Sequence, residues 1–252
     1  MKLYGEFTKH DWLQAFRIDE KDVPSAMIVH GAWEHETNLQ QWKQILRETT
    51  WNPHWNCVVG HWKHGLIGFA NVFGGPSAAV ICHQFASLGT RRFIQTGYFG
   101  GLSRNVQFGD IFIVTGAEMA DGVSHWYLPD QQMVQADIQL VEAAVQFCEK
   151  KQYRYVTGTV FTTGAIMVET KEMAEAWAQK GHIGVDMETA TTLAVAKKFG
   201  KKAVALLNLS DHIIKGDTFY TVDPDQQKKK RETDEKIREL AIYLSTSFND
   251  LP

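Results

Sequence analysis

Residues 184–213 read Gly-Val-Asp-Met-Glu-Thr-Ala-Thr-Thr-Leu-Ala-Val-Ala-Lys-Lys-Phe-Gly-Lys-Lys-Ala-Val-Ala-Leu-Leu-Asn-Leu-Ser-Asp-His-Ile. The stretch predicts a short approach, a helix, a turn and a buried strand ending in an acid. Thr189 to Phe199 carry Ala, Leu and Val at helical spacing, and Gly200 is a natural left-handed stop. Ala203 to Leu207 is an unbroken apolar run, the mark of a strand covered on both faces. Two carboxylates bracket the unit, Glu188 at the helix start and Asp211 just past the strand. Ligands of open α/β sheets bind outside the carboxyl ends of strands, which is where Asp211 falls.

The rest of the chain repeats this alternation. Ala26 to Val29 predict a strand running into His30-Gly31-Ala32-Trp33-Glu34-His35-Glu36. A helix follows, with Leu39, Trp42, Ile45 and Leu46 on one face. Strand, glycine turn and helix together offer backbone N–H groups to an anion. Cys57 to Val59 and Leu66 to Phe73 read as strands, with a turn at Gly65. Gly74-Gly75-Pro76-Ser77 open a helix, where the missing donor of proline costs nothing. Phe93 to Thr96 predict a strand ending in a flexible loop, Gly97-Tyr98-Phe99-Gly100-Gly101. Further strands are expected at 111–114 and 155–161, and helices at 135–151, 171–180 and about 225–248. A polar loop at 118–134 holds Asp121, His125 and Tyr127. Strands alternating with helices argue an α/β fold.

With 252 residues, 44% apolar and 12% aromatic, the chain can bury a large core. A net charge of −3 argues against nucleic acid as partner. Cys57, Cys82 and Cys148 are too widely spaced for a disulfide framework or zinc site, and read as reduced core thiols of a cytoplasmic protein. No apolar run approaches the ~20 residues that span a bilayer, and the first residues lack a signal-peptide core. Eight tryptophans, several between 33 and 62, suit either an aromatic pocket wall or ordinary packing. The basic run 228–231 reads as a solvated helix face.

The ordered set Gly74-Gly75-Pro76-Ser77, Thr96-Gly97 with Gly100-Gly101-Leu102, Phe108-Gly109-Asp110-Ile111, Gly158 to Phe161, Val185 to Ala190 and Leu209 to Ile213 resembles the nucleoside phosphorylase/nucleosidase family. The resemblance covers roughly residues 26–248. It implies a single three-layer αβα domain over 1–252, with a twisted mixed central sheet and residues 1–24 as an N-terminal extension. It implies a homo-oligomer, dimer, trimer or hexamer, acting on a small-molecule nucleoside with no metal or other cofactor.

The same resemblance assigns roles. Asp211 matches the general acid that protonates the leaving base, a task that needs a raised carboxyl pKa. Glu188 matches the glutamate that grips the ribose hydroxyls and favours positive charge on the sugar. Met187 matches the residue packed under the ribose, and Phe161 the aromatic that stacks on the base. Gly31, Gln95, Thr96, Gly97 and Tyr98 fall where the family builds an anion site or sugar-pocket wall. Phosphorylases of the family carry arginines where this chain has His35 and Gln95, and a small hydroxyl residue at Tyr98. A dianion needs fixed positive charge. The loop through Glu36 instead resembles that of the nucleosidases, whose last glutamate activates water. Hydrolysis of a purine nucleoside or 5′-modified adenosine, with Glu36 as base, is therefore the expectation. The alternatives are a purine or uridine nucleoside phosphorylase with an altered phosphate site, and an inactive nucleoside-binding member. Tyr98 fills the phosphate space, reshapes the sugar pocket or blocks it. His10 is a candidate to reach a neighbouring subunit, and Lys229 or Arg231 to assist the acid.

Overall fold

A computed structural model describes residues 2–52, 56–63, 65–221 and 223–246. Its organising strand is β1 (Ala26–Gly31), in parallel register between β4 (Gly65–Val72) and β5 (Arg92–Gly101). Beyond β4 the sheet ends in two antiparallel strands, β3 (Cys57–Trp62) and then β2 (Arg47–Asn52). On the other flank β5 pairs in parallel with β10 (Lys202–Asp211). Then come β6 (Ile111–Ala120), antiparallel to β10, and β8 (Tyr155–Thr163), parallel to β6. The short β9 (Gly184–Asp186) pairs with both β8 and the far end of β5. That pairing closes β5, β10, β6, β8 and β9 into a ring. The strand β7 (Met133–Gln135) is appended to β6.

Helices cover both faces, giving the three layers and mixed sheet expected. One face carries α1 (Lys9–Phe16), α3 (Gly74–Leu88), α4 (Ser124–Tyr127) and α7 (Thr189–Lys198). Alternate residues Met27 and Val29 of β1 join Phe93 in this core. The other face carries α2 (His35–Ile45), α5 (Ile138–Lys151) and α8 (Pro224–Thr246), with Ile28 and Ile94 pointing into it. The last helix was expected to reach 248, and residues 247 and 248 lie outside those described. A small third cluster gathers Leu102, Phe161, Trp177 and Val185 beneath α6 (Lys171–Gln179).

The central unit forms as expected, and Val204 to Leu207 are fully buried. Each such aliphatic side chain contributes roughly 1.5–3 kcal/mol on burial. Residues 1–24, expected as an extension, contain a helix docked on the main body. Trp12 is buried against α3, beside His83 and near Phe7 and Phe16.

Three expectations need correction. The loop at 97–101 is strand, because β10 and β9 supply hydrogen-bond partners on its two edges as far as Gly101. The polar loop 118–134 holds the end of β6, a helical turn and the start of β7. Its Asp121 caps that turn, accepting from the Ser124 N–H and hydroxyl, and also takes the Thr191 hydroxyl of α7. Asp211 is the last residue of β10 rather than a position beyond it. Of the tryptophans near the N-terminus, Trp42 stacks on Phe69 at 4.8 Å, Trp33 is exposed against Phe73, and Trp55 lies outside the described residues.

Candidate active site

Glu188 is buried at the start of α7, against two glycines from separate elements. Its Oε1 accepts from the Gly74 N–H at 2.6 Å. A Cβ placed on Gly31 would lie 2.6 Å from Oε2, so glycine is what lets this carboxyl approach the end of β1. Asp186, two residues earlier, faces the same interior. It accepts from the Thr162 hydroxyl at 2.7 Å, the Gln95 amide at 3.3 Å, and the Thr189 N–H and hydroxyl at 2.9 and 2.5 Å. Burial pushes both carboxyl groups up, and the Asp186 charge pushes Glu188 further. Asp186 gathers the larger set of donors, which offsets part of the rise that burial causes.

Asp211 is buried where β10 ends, opposite Gly100 of β5. Gly100 also pairs with Val185 of β9 on its other edge. The strand β10, which ends at Asp211, and the strand β9, which ends two residues before Glu188, thus flank β5, about two inter-strand spacings apart, ~10 Å. Burial pushes the Asp211 carboxyl up, while the Ser210 hydroxyl hydrogen-bonded to Oδ1 and the Lys230 ammonium pull it down. Asp217 raises it slightly. Glu169, on the segment leading into α6, has a buried Oε1 without a hydrogen-bond partner. Its carboxyl is pushed up to about 7 by burial and by the Asp211 charge. A raised pKa is what a carboxylic acid needs to donate a proton near neutrality.

The β5 residues split between the two faces of the sheet. Gln95 points towards Asp186, and Gly97, at φ 149°, presses on Gly31: a Cβ there would lie 2.8 Å from the Gly31 carbonyl. Thr96 and Tyr98 point the opposite way. The Thr96 hydroxyl meets His30 Nδ1 at 2.9 Å. Burial, with the Arg238 charge, pushes His30 down to about 4, so its ring is neutral. The Tyr98 hydroxyl donates to Asp234 of α8 at 3.1 Å, and the Lys230 ammonium sits 4.2 Å from its ring centroid. Tyr98 therefore turns away from Glu188 and towards a cavity of about 460 Å³ between α2 and α8. Gly97 is on the wall of that cavity and in contact with Gly31, the glycine against which Glu188 packs.

Met187 is half-buried, its Cε 3.9 Å from the position a Gly74 Cβ would take. Phe161 is buried, with one face stacked on Trp177 at 4.4 Å. Gly31, Gln95, Gly97, Met187 and Glu188 are thus brought together, and Asp211 closes the other side of β5. Glu36 is not drawn in. It is exposed in the first turn of α2, whereas Glu34 and Thr37 line the cavity. His10 is exposed on α1. Two residues were not expected. Lys230, rather than Lys229 or Arg231, is the cation whose charge reaches Asp211. Glu169 carried no signal in the sequence beyond its position after the Phe161 strand. Among the described residues, no group of three His, Cys, Asp or Glu side chains is arranged to hold a metal ion, and no helix is long and apolar enough to cross a membrane.

The fold is a three-layer scaffold with buried acids beside β5. A family model described as the phosphorylase superfamily matches residues 28–245, and the chain belongs to that family. A DeoD-type purine nucleoside phosphorylase of Shewanella loihica is 30% identical over 193 residues, 71% of this chain and 81% of the relative. A guanosine phosphorylase of Halorubrum lacusprofundi is 24% identical over 172 residues, 68% of this chain and 71% of the relative. The crystal structure of a uridine phosphorylase from Vibrio fischeri superposes with a TM-score of 0.79 at 20% identity, covering 91% of this chain and 95% of that one. That likeness shows a shared fold.

Proposed function

We propose that this protein cleaves the N-glycosidic bond of a nucleoside and passes the sugar to phosphate. The observation that carries the cleavage is the placement of Asp211, at the end of β10, and Glu188, two residues past the end of β9, on either side of β5, both buried and both with raised carboxyl pKa. The phosphorylase names of the sequence relatives support phosphate over water as acceptor, against the expectation of hydrolysis.

In this reading the C1′–N bond breaks with its electron pair going to the base. Asp211, as the neutral acid, delivers the proton that lets the base leave uncharged. Glu188 binds the vicinal hydroxyls and, in its ionised form, stabilises positive charge on the ribose as it develops. A phosphate oxygen then bonds to C1′, giving a sugar 1-phosphate and the free base. Met187 lies under the sugar, and Phe161, stacked on Trp177, is the aromatic against the base. Hydrolysis keeps one specific support: Gln95 is engaged by Asp186 and His35 is exposed, so neither stands in for a phosphate-binding arginine.

A panel of purine and pyrimidine nucleosides, with and without phosphate, decides between them by chromatography of the free base. Base release that rises with phosphate supports phosphorolysis. Release at the same rate without phosphate returns the reading to water.

A further inference from the structure

The segment between β8 and α6 inverts the usual burial. Met167 and Val168 are 77% and 63% exposed, while Oε1 of Glu169 is shut away from solvent with no hydrogen-bond partner. Apolar side chains left in water and a carboxyl oxygen buried alone both cost free energy. A chain that keeps such an arrangement marks a functional position. What acts on the Glu169 carboxyl is burial and the Asp211 charge, and among the described residues no cation opposes them. The position is also fixed. The Glu169 N–H donates to the Ile166 carbonyl at 3.2 Å. Beside it, the Thr170 hydroxyl caps α6 by accepting from the Met173 N–H at 3.3 Å.

The helix that Glu169 leads into joins the two sides of the base position. Its Trp177 stacks on Phe161, and its body packs on Ile213–Lys215, the turn that follows Asp211. Ile213 is part of the same apolar cluster as Phe161 and Trp177. The carboxyl, pushed up to about 7, offers near neutrality an O–H donor together with a C=O acceptor. A 6-oxopurine presents an acceptor to such a group, and a 6-aminopurine a donor. In a purine the imidazole nitrogen N7 and the 6-substituent lie side by side on one edge, so two neighbouring acids engage one base together.

We propose that Glu169 is a specificity-determining residue, its unpartnered oxygen hydrogen-bonding the 6-substituent of a purine base while Asp211 serves the ring nitrogen. The proposal rests on the reading of glycosidic cleavage above and deepens it by naming what selects the base.

Calorimetric titration of the full chain with free hypoxanthine, adenine and unsubstituted purine tests it, since purine keeps both rings and lacks the 6-substituent. Wild type binds hypoxanthine and adenine more tightly than purine. Glu169→Leu weakens the first two by about tenfold, the loss of one hydrogen bond, and leaves purine no weaker. Glu169→Ala, which adds no bulk, shows the same loss, and Glu169→Gln, which keeps a donor and an acceptor, retains the preference. No binding of these bases by wild type, equal affinity for all three, or a preference unchanged in Glu169→Leu overturns the role. Equal weakening of all three bases in both Glu169→Leu and Glu169→Ala overturns it too, because a merely structural residue would act that way. Bases held through Glu169 while nucleosides release none, with or without phosphate, keep the role and remove the cleavage reading. Base release with the preference unchanged in Glu169→Leu does the reverse.

Discussion

At the scale of single residues, the site depends on what surrounds each carboxyl group. Asp211 is held up by burial and held down by Ser210 and Lys230, with a net rise of its carboxyl pKa. Asp211→Asn preserves shape and removes the proton. It is expected to lower the rate of base release about 100-fold or more, with an unchanged melting temperature. Glu188 depends instead on two glycines. Gly31→Ala would drive a methyl group to 2.6 Å from its Oε2 and displace the carboxyl. Nucleoside binding, measured by titration, should be lost while circular dichroism remains native. Full affinity in Gly31→Ala would mean that the approach of Glu188 to β1 is not used. Sequence made Glu188 and Asp211 legible because each sits at a motif between an apolar run and a helix. It did not reveal Lys230. Four consecutive basic residues look alike until the helix is placed, and only its phase against β5 and β10 decides which one faces Asp211.

At the scale of elements, β5 positions most of the site. Its glycines suggested a flexible loop, because Gly weakens a strand considered alone. The sheet overrides that tendency, since β9, β10 and β1 all hydrogen-bond to it. Bare glycines there admit neighbours that a side chain would exclude, such as Ile213 at Gly100. The strand at 47–52 was missed for a related reason. Arg47, Glu48, Thr49 and Thr50 give no apolar alternation, and the strand lies at the sheet edge. The first helix shows the opposite case, a segment with no recognisable motif that packs well. Trp12 is buried between α1 and α3. Trp12→Ala should cost about 3 kcal/mol of unfolding free energy in a denaturant titration. A loss under about 0.5 kcal/mol would show that α1 does not contribute to the stability of the body.

At the scale of the molecule, the fold was legible because strands, helices and glycine turns follow one another in an order that few α/β architectures share. Closure of the ring through β9 was not, since three residues pairing two distant strands leave no periodic signal. That ring places two raised carboxyl groups in one interior, with consequences for the pH dependence of stability. Glu188 is pushed up by burial and by Asp186, so the folded state holds a proton that the unfolded chain releases. Its contribution to stability is present below the ordinary carboxylate range and is lost as pH rises through the raised folded value. The unliganded protein should therefore lose stability between about pH 5 and pH 8, by at most about 1.4 kcal/mol per pH unit for this group. Glu188→Gln should flatten that slope and be the more stable protein at the alkaline end. Parallel melting curves for the two proteins across this range would show that Glu188 is ionised in the folded state.

The most direct measurement is the release of free base from nucleosides by wild type and by Asp211→Asn, followed by chromatography in the presence of phosphate. Wild type is expected to liberate base and the variant to liberate almost none while binding nucleoside as before. Equal release by both proteins would contradict a site in which Asp211 delivers the proton to the leaving base.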